Sequence, residues 1–193
     1  MTRDELLAFV RLFIAGDDDV VYAIANHFTS ILLQTRAMII DEHGLEETSP
    51  MNDSDLTEMA RHIATIMFGF RQRILEIEDD EQREHNILWQ FERILVDQTV
   101  RAINAGELWG YMFVQNVTGI KYAKTWVSRL AKNTCITCET LHGTTIPIHE
   151  DFLSLGQTLS LRDGTFYRQT YGNLSAPSLH PHCQCWLIFT LIN

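Results

Sequence analysis

The chain has 193 residues, a hydrophobic fraction of 46%, a charged fraction of 21% and a net charge of -10. That composition belongs to a globular protein and excludes a disordered chain or a polycationic nucleic-acid coat. The charge is uneven: residues 1–100 hold 8 Lys+Arg against 20 Asp+Glu, and residues 101–193 hold 7 against 5.

Met1 to Leu6 lack the basic-then-apolar order of a signal peptide, and no apolar run approaches the ~18–20 residues that cross a bilayer. Cytosolic, reducing surroundings are therefore expected, with no membrane partner. There, paired cysteines serve more often as metal ligands or redox centres than as disulfides.

In chain order, Leu6, Val10, Phe13 and Ile14 recur at helical spacing up to Gly16. Asp17-Asp18-Asp19 then offers carboxylates to the free amides of a new helix. Val21, Ile24, Phe28, Ile31, Leu32, Thr35 and Ile39 mark its face as far as Gly44. Ser49-Pro50-Met51-Asn52-Asp53 predicts a turn and cap before the stripe Leu56, Met59, Ile63, Ile66, Met67, Phe70, Ile74 and Ile77. The acidic patch Glu76 to Glu84 reads either as a solvated helix end or as a loop. A last long helix follows from Ile87 through Phe91, Ile94, Leu95, Gln98 and Ala102 towards Val117. Three or four such helices predict a bundle or an elongated arm.

The texture changes near Gly119. Trp126-Val127, Thr144 to Ile148 and Trp186 to Ile192 read as strands, with Pro147 favouring an edge. Asp163-Gly164 before Thr165-Phe166-Tyr167 is a hairpin signal inside the turn-rich stretch from Asp151 to Ser178. The expectation is an α+β chain: a helical region over 1–118 and a small α+β module over 119–193.

All four cysteines lie in that module, as Cys135-Ile136-Thr137-Cys138 and His180-Pro181-His182-Cys183-Gln184-Cys185. A Cys-x-x-Cys turn aims two sulfurs at one point, and Cys-x-Cys supplies two more, as a tetrahedral Zn²⁺ requires. The 44 residues between Cys138 and Cys183 exceed a common zinc ribbon, so such a site would staple a long loop at both ends. Four cysteines are the simplest ligand set; His180 in place of one of them is the other. Metal-free buried thiols and a redox Cys135–Cys138 pair are alternative readings, although no thioredoxin-like βαβ pattern surrounds the pair.

Cys135 to Gly143, as Cys-x-x-Cys-x-x-Leu-His-Gly, followed by His-Pro-x-Cys-x-Cys at 180–185, resembles the phage Mu F-like head morphogenesis family, the minor head or minor capsid proteins of tailed phages. Arg101-Ala102-Ile103-Asn104-Ala105-Gly106 is similar to the family's Arg-Ala-x-Asn-x-Gly, Lys124-Thr125-Trp126 to its Lys-x-Trp strand, and Ile146 to Glu150 to its apolar segment. The likeness covers about residues 95–190. The chain departs from the family at Lys132-Asn133-Thr134, where an acidic residue is common, at His182 and Gln184, where the family has Asn and Arg, and in a longer 151–178 stretch.

The resemblance implies a non-enzymatic virion or assembly protein, made in the host cytoplasm and present in several copies. Its partners would be the portal or major capsid protein in the capsid interior. Arg101, Lys121, Lys124, Arg129 and Lys132 are candidate contacts to packaged DNA or portal, against the alternative of a solvated face. The enzymatic alternative is a small zinc-dependent nuclease or toxin-like enzyme drawing on His142, His149, His180 and His182 with Glu150 as general base. His142 has the competing reading of a helix cap, and His182 that of a surface residue.

Overall fold

The computed structural model describes residues 8, 10–13, 15–47, 53–76, 80–170, 172–180 and 182–192, without the side chains of 53–55, 58, 59, 62, 80–85 and 88. The expectations for Leu6, Ile14, Ile77, the turn at 49–52, Pro181 and the side chain of Met59 lie outside the described residues. The chain is α+β. Helices α1 (Asp18–Glu42), α2 (Asp53–Leu75) and α3 (Asp80–Thr118) precede strand β1 (Lys121–Val127), helix α4 (Ile136–Leu141) and strands β2 (Thr145–Pro147), β3 (Thr158–Ser160), β4 (Phe166–Arg168) and β5 (Trp186–Ile192).

Helix α1 begins as its acidic triplet dictates. Asp17 caps it, its carboxylate accepting from the Asp19 amide at 3.0 Å. It ends at Gly44, whose φ of +64° suits glycine. The apolar stripe Val21, Ile24, Phe28 and Leu32 is buried, joining Phe13, Phe70 and Phe91 in a first core. Those three rings lie 5.7–6.2 Å apart. Helix α3 starts inside the acidic patch, at Asp80, and runs 39 residues.

Helices α1 and α3 cross closely at two glycines. A Cβ on Gly106 would stand 2.5 Å from the Leu32 carbonyl oxygen, and one on Gly110 would stand 2.7 Å from the Ile39 Cβ. Beyond that crossing both helices enter a second core. Ile39, Leu108 and Val114 pack there with Tyr122, Trp126, Ile148, Leu153 and Leu187.

Strand β1 is the middle of an antiparallel sheet ordered β2-β1-β5. Thr125 faces Thr145 on one side and Ile188 on the other. Pro147 thus sits on an edge strand, where its missing amide costs no ladder bond. The Asp163-Gly164 turn joins β3 to β4 as the hairpin signal predicts, Asp163 accepting from the Thr165 amide at 2.9 Å. No described helix is long and apolar enough to cross a membrane.

Candidate metal centre

The two cysteine pairs arrive on different devices. Cys135 is the N-cap of α4, its Sγ accepting from the Cys138 amide at 3.3 Å. A sulfur in that position meets the positive end of the helix, which favours thiolate. The second pair comes from a tight turn in which the Cys183 amide donates to the His180 carbonyl at 3.1 Å. His182 takes φ +66° within this turn, an uncommon left-handed conformation for a non-glycine residue. Cys185 then leads directly into β5.

Cys135, Cys138 and His180 form one potential ligand triplet, and Cys138, Cys183 and Cys185 form another. Within each, the ligand atoms lie within 4.8 Å of one another. Cys138 belongs to both. Its Sγ is 3.8 Å from that of Cys183 and 3.4 Å from His180 Nε2, which stands 2.9 Å from Cys135 Sγ. All four cysteines are free thiols, three of them buried. The cluster can hold a metal ion.

The electrostatics agree. Hydrogen bonding from Cys138 holds the Cys135 thiol down to about 4, against burial and with help from His180. The same donor holds Cys183 down to about 2. Cys138 itself is pushed up, because its proton serves its neighbours. Against the hydrogen bond from Cys138, Cys185 is also pushed up, to about 11, by Cys183 and burial. Two thiols thus keep their protons beside two that favour thiolate, and a cation would be attracted in place of those protons.

A polar stripe on α3 holds the second pair. Asn104, only 2% exposed, donates from Nδ2 to the Cys185 carbonyl at 3.2 Å and accepts the Leu187 amide on Oδ1 at 3.0 Å. One turn earlier, Arg101 donates to the Ser178 carbonyl at 3.4 Å. Asp97 accepts from the Ser178 hydroxyl at 2.6 Å, and burial raises its carboxyl despite that bond and Arg101. Residues at i, i+4 and i+7 share one helix face, so 97, 101 and 104 grip the 178–187 segment as a unit. Asp97 and Ser178 escape a motif reading; the helical spacing from Arg101 and Asn104 was the signal available for Asp97.

No family model matches the chain, and no curated protein or solved structure matches it either.

The structure brings together all five candidate ligands, Cys135, Cys138, His180, Cys183 and Cys185. It does not bring the remaining histidines to them. His142 is the C-cap of α4, its amide donating to the Cys138 carbonyl at 3.0 Å, and its Nδ1 separately accepts the Ser128 amide at 3.0 Å. His149 and Glu150 are exposed, and His182 is exposed with its ring centroid 6.3 Å from that of Trp89.

The basic set does not form one surface. Lys124 is 1% exposed, its ammonium 5.6 Å above the Phe152 ring, so it cannot reach a partner. Arg101 is engaged with Ser178. Lys121, Arg129 and Lys132 are exposed, and Arg129 donates to Gln184 at 2.7 Å.

Proposed function

We propose that the chain is a structural protein of a tailed-phage head, a minor capsid or head-morphogenesis protein whose cysteine cluster is a structural zinc site. The observation that carries the reading is the convergence of separate motifs. The Arg101-to-Gly106 segment resembles the family's helix motif, and the Cys-x-x-Cys and His-x-x-Cys-x-Cys segments its knuckle. Here Asn104 bonds directly across 81 residues to Cys185, and Gly106 lies where α1 touches α3. Motifs that jointly build one site make a coherent unit rather than scattered coincidences.

Zinc suits the donors. Soft thiolates with at most one imidazole favour Zn²⁺ over hard cations. Metal–sulfur bonds of ~2.3 Å space tetrahedral sulfurs about 3.8 Å apart, the separation of Cys138 from Cys183. Cys135, Cys138 and Cys183 would hold the ion with Cys185 or His180. When bound, it supplies a cross-link between α4 and the start of β5.

The role is structural in this reading because three of the four thiols are buried and the second pair is held from behind by Asn104 of α3. A hydrolytic site would need an exposed coordination position with a general base nearby. The candidate base Glu150 lies on the surface, and His142 is committed to Ser128. Portal or major capsid protein is the proposed partner, inside the virion, with assembly in the host cytoplasm. Packaged DNA would meet Lys121, Arg129 and Lys132.

The decisive measurement is mass spectrometry of purified particles, paired with deletion of the gene. The chain should be present in particles, and deletion should reduce the yield of infectious heads. A chain absent from particles, with normal assembly after deletion, overturns the proposal.

A further inference from the structure

A cleft of about 800 Å³ opens between α2, α3 and the segment that leads to His180. Its floor is apolar, made by Ile66, Phe70, Ile94 and Leu174, with Ala176 and Pro177 on the far wall. Three arginines line it, Arg73 from α2 with Arg93 and Arg101 from α3. One carboxylate faces them, that of Asp97, and it already accepts from the Ser178 hydroxyl and from Gln98 Nε2.

Two features suit these walls to a ligand. Arg93 stacks on Trp89, its guanidinium 3.9 Å from the ring centroid, which narrows the orientations its charge samples. Gln98 lines the cleft at 2% exposure, and among the described residues its side-chain Oε1 accepts no hydrogen bond. A buried acceptor without a donor is costly to leave unmet, so a ligand that carries an N–H is favoured there.

We propose that this cleft docks a short extended peptide segment of a partner protein, with an apolar side chain on the Ile66–Phe70–Ile94 floor, carboxylates on Arg73 and Arg93, and a backbone N–H on Gln98. A peptide meets all three requirements together. A nucleic-acid backbone offers phosphates but no backbone donor for Gln98. It would also run across a region, residues 1–100, with 20 acidic against 8 basic side chains, which repels an extended polyanion. A short acidic peptide confines its charge to the arginines. This proposal goes beyond the head-assembly reading and stands without it, since a carboxylate-bearing partner need not be a capsid component.

The test is fluorescence anisotropy on the full chain with three labelled probes: a ten-residue peptide alternating Glu with Leu and Phe, the same peptide with Lys for every Glu, and a ten-nucleotide oligothymidine. The acidic peptide should bind saturably, more weakly as salt rises, and the other two should not. Arg73→Glu and Arg93→Glu should each weaken it about tenfold, the scale of one charge-assisted pair. Arg73 is an exposed side chain, so its variant should keep the wild-type circular dichroism melt and separates lost binding from lost folding. The proposal is overturned by oligothymidine binding in preference to the acidic peptide, by equal binding of the Lys peptide, by unchanged affinity in both variants, or by binding of no probe.

Discussion

Asn104 illustrates how much one side chain can hold. Its amide completes two backbone groups at the mouth of β5 and also bonds the Val100 carbonyl at 2.9 Å. Asn104→Leu keeps roughly the volume and leaves the Leu187 amide and the Cys185 carbonyl without that partner. Orphaned buried groups cost about 1–3 kcal/mol each, so urea unfolding should show a loss of about 3 kcal/mol; a loss below about 1 kcal/mol would mean that water replaces the amide. Lys124 makes a different prediction. Burial pushes its ammonium down to about 8, opposed by Asp151 and Glu150. The folded state therefore releases its proton near pH 8, while the unfolded chain keeps it to about 10.5. Between those values the unfolded state binds more protons, so stability rises with pH. Below pH 8 the buried charge costs about 3 kcal/mol at 1.36 kcal/mol per unit. Lys124→Met should be the more stable protein at pH 7, and the difference from wild type should shrink as pH climbs from 8 to 10. A difference independent of pH over that range would refute the assignment. The candidate ligands were legible because Cys-x-x-Cys and Cys-x-Cys are spacings that turn two sulfurs towards one point. Lys124 was misread because lysine is by default a surface residue, although strand alternation places it on the same face as the buried Trp126.

Among the elements, the α1–α3 crossing is the tightest contact that glycines create. Gly106→Ala would drive a methyl group into the Leu32 carbonyl oxygen and the Thr35 side chain, at 2.5 and 2.8 Å. Overpacking of this kind costs about 1–3 kcal/mol and should outweigh the alanine's helical preference of about 1 kcal/mol. Gly69 on α2 is the control, because its nearest neighbour to a new Cβ is the end of Arg73 at 3.9 Å. Gly69→Ala should raise the melting temperature and Gly106→Ala lower it; matching signs would refute the crossing. Periodicity located the three long helices α1, α2 and α3, since stripes such as Ile63, Met67, Phe70 and Ile74 bury on one side. It left the start of α3 undecided, because charged residues such as Asp80 and Glu81 are equally at home in a helix's first turn and in a loop. The hairpin was legible from Asp163-Gly164, whereas the three-residue span of β2 was set by pairing with β1, which no local pattern records.

At the scale of the molecule, the helices and the cysteine module share their supports. Phe28 and Leu32 of α1 lie in the first core and Ile39 in the second, while α3 gives Phe91 to the first and Leu108 and Val114 to the second. A zinc site should therefore report beyond its own loop. Protein purified without added metal should contain about one zinc per chain. Removing it with a chelator should expose amides of 120–192 and of α3 beyond Gly106 to hydrogen exchange, while those of 56–75 stay protected. Uniform loss of protection would indicate one cooperative unit, and no loss would show the cluster to be idle.

The shared helix α3 has one more consequence. Thirty-nine residues at 1.5 Å each make a rod of about 58 Å, with the Trp89–Arg93 end near its start and the β1 junction at its finish. Because both cores clamp this rod, its two ends keep a set separation, and a neighbour bound at one end would fix where the other end falls.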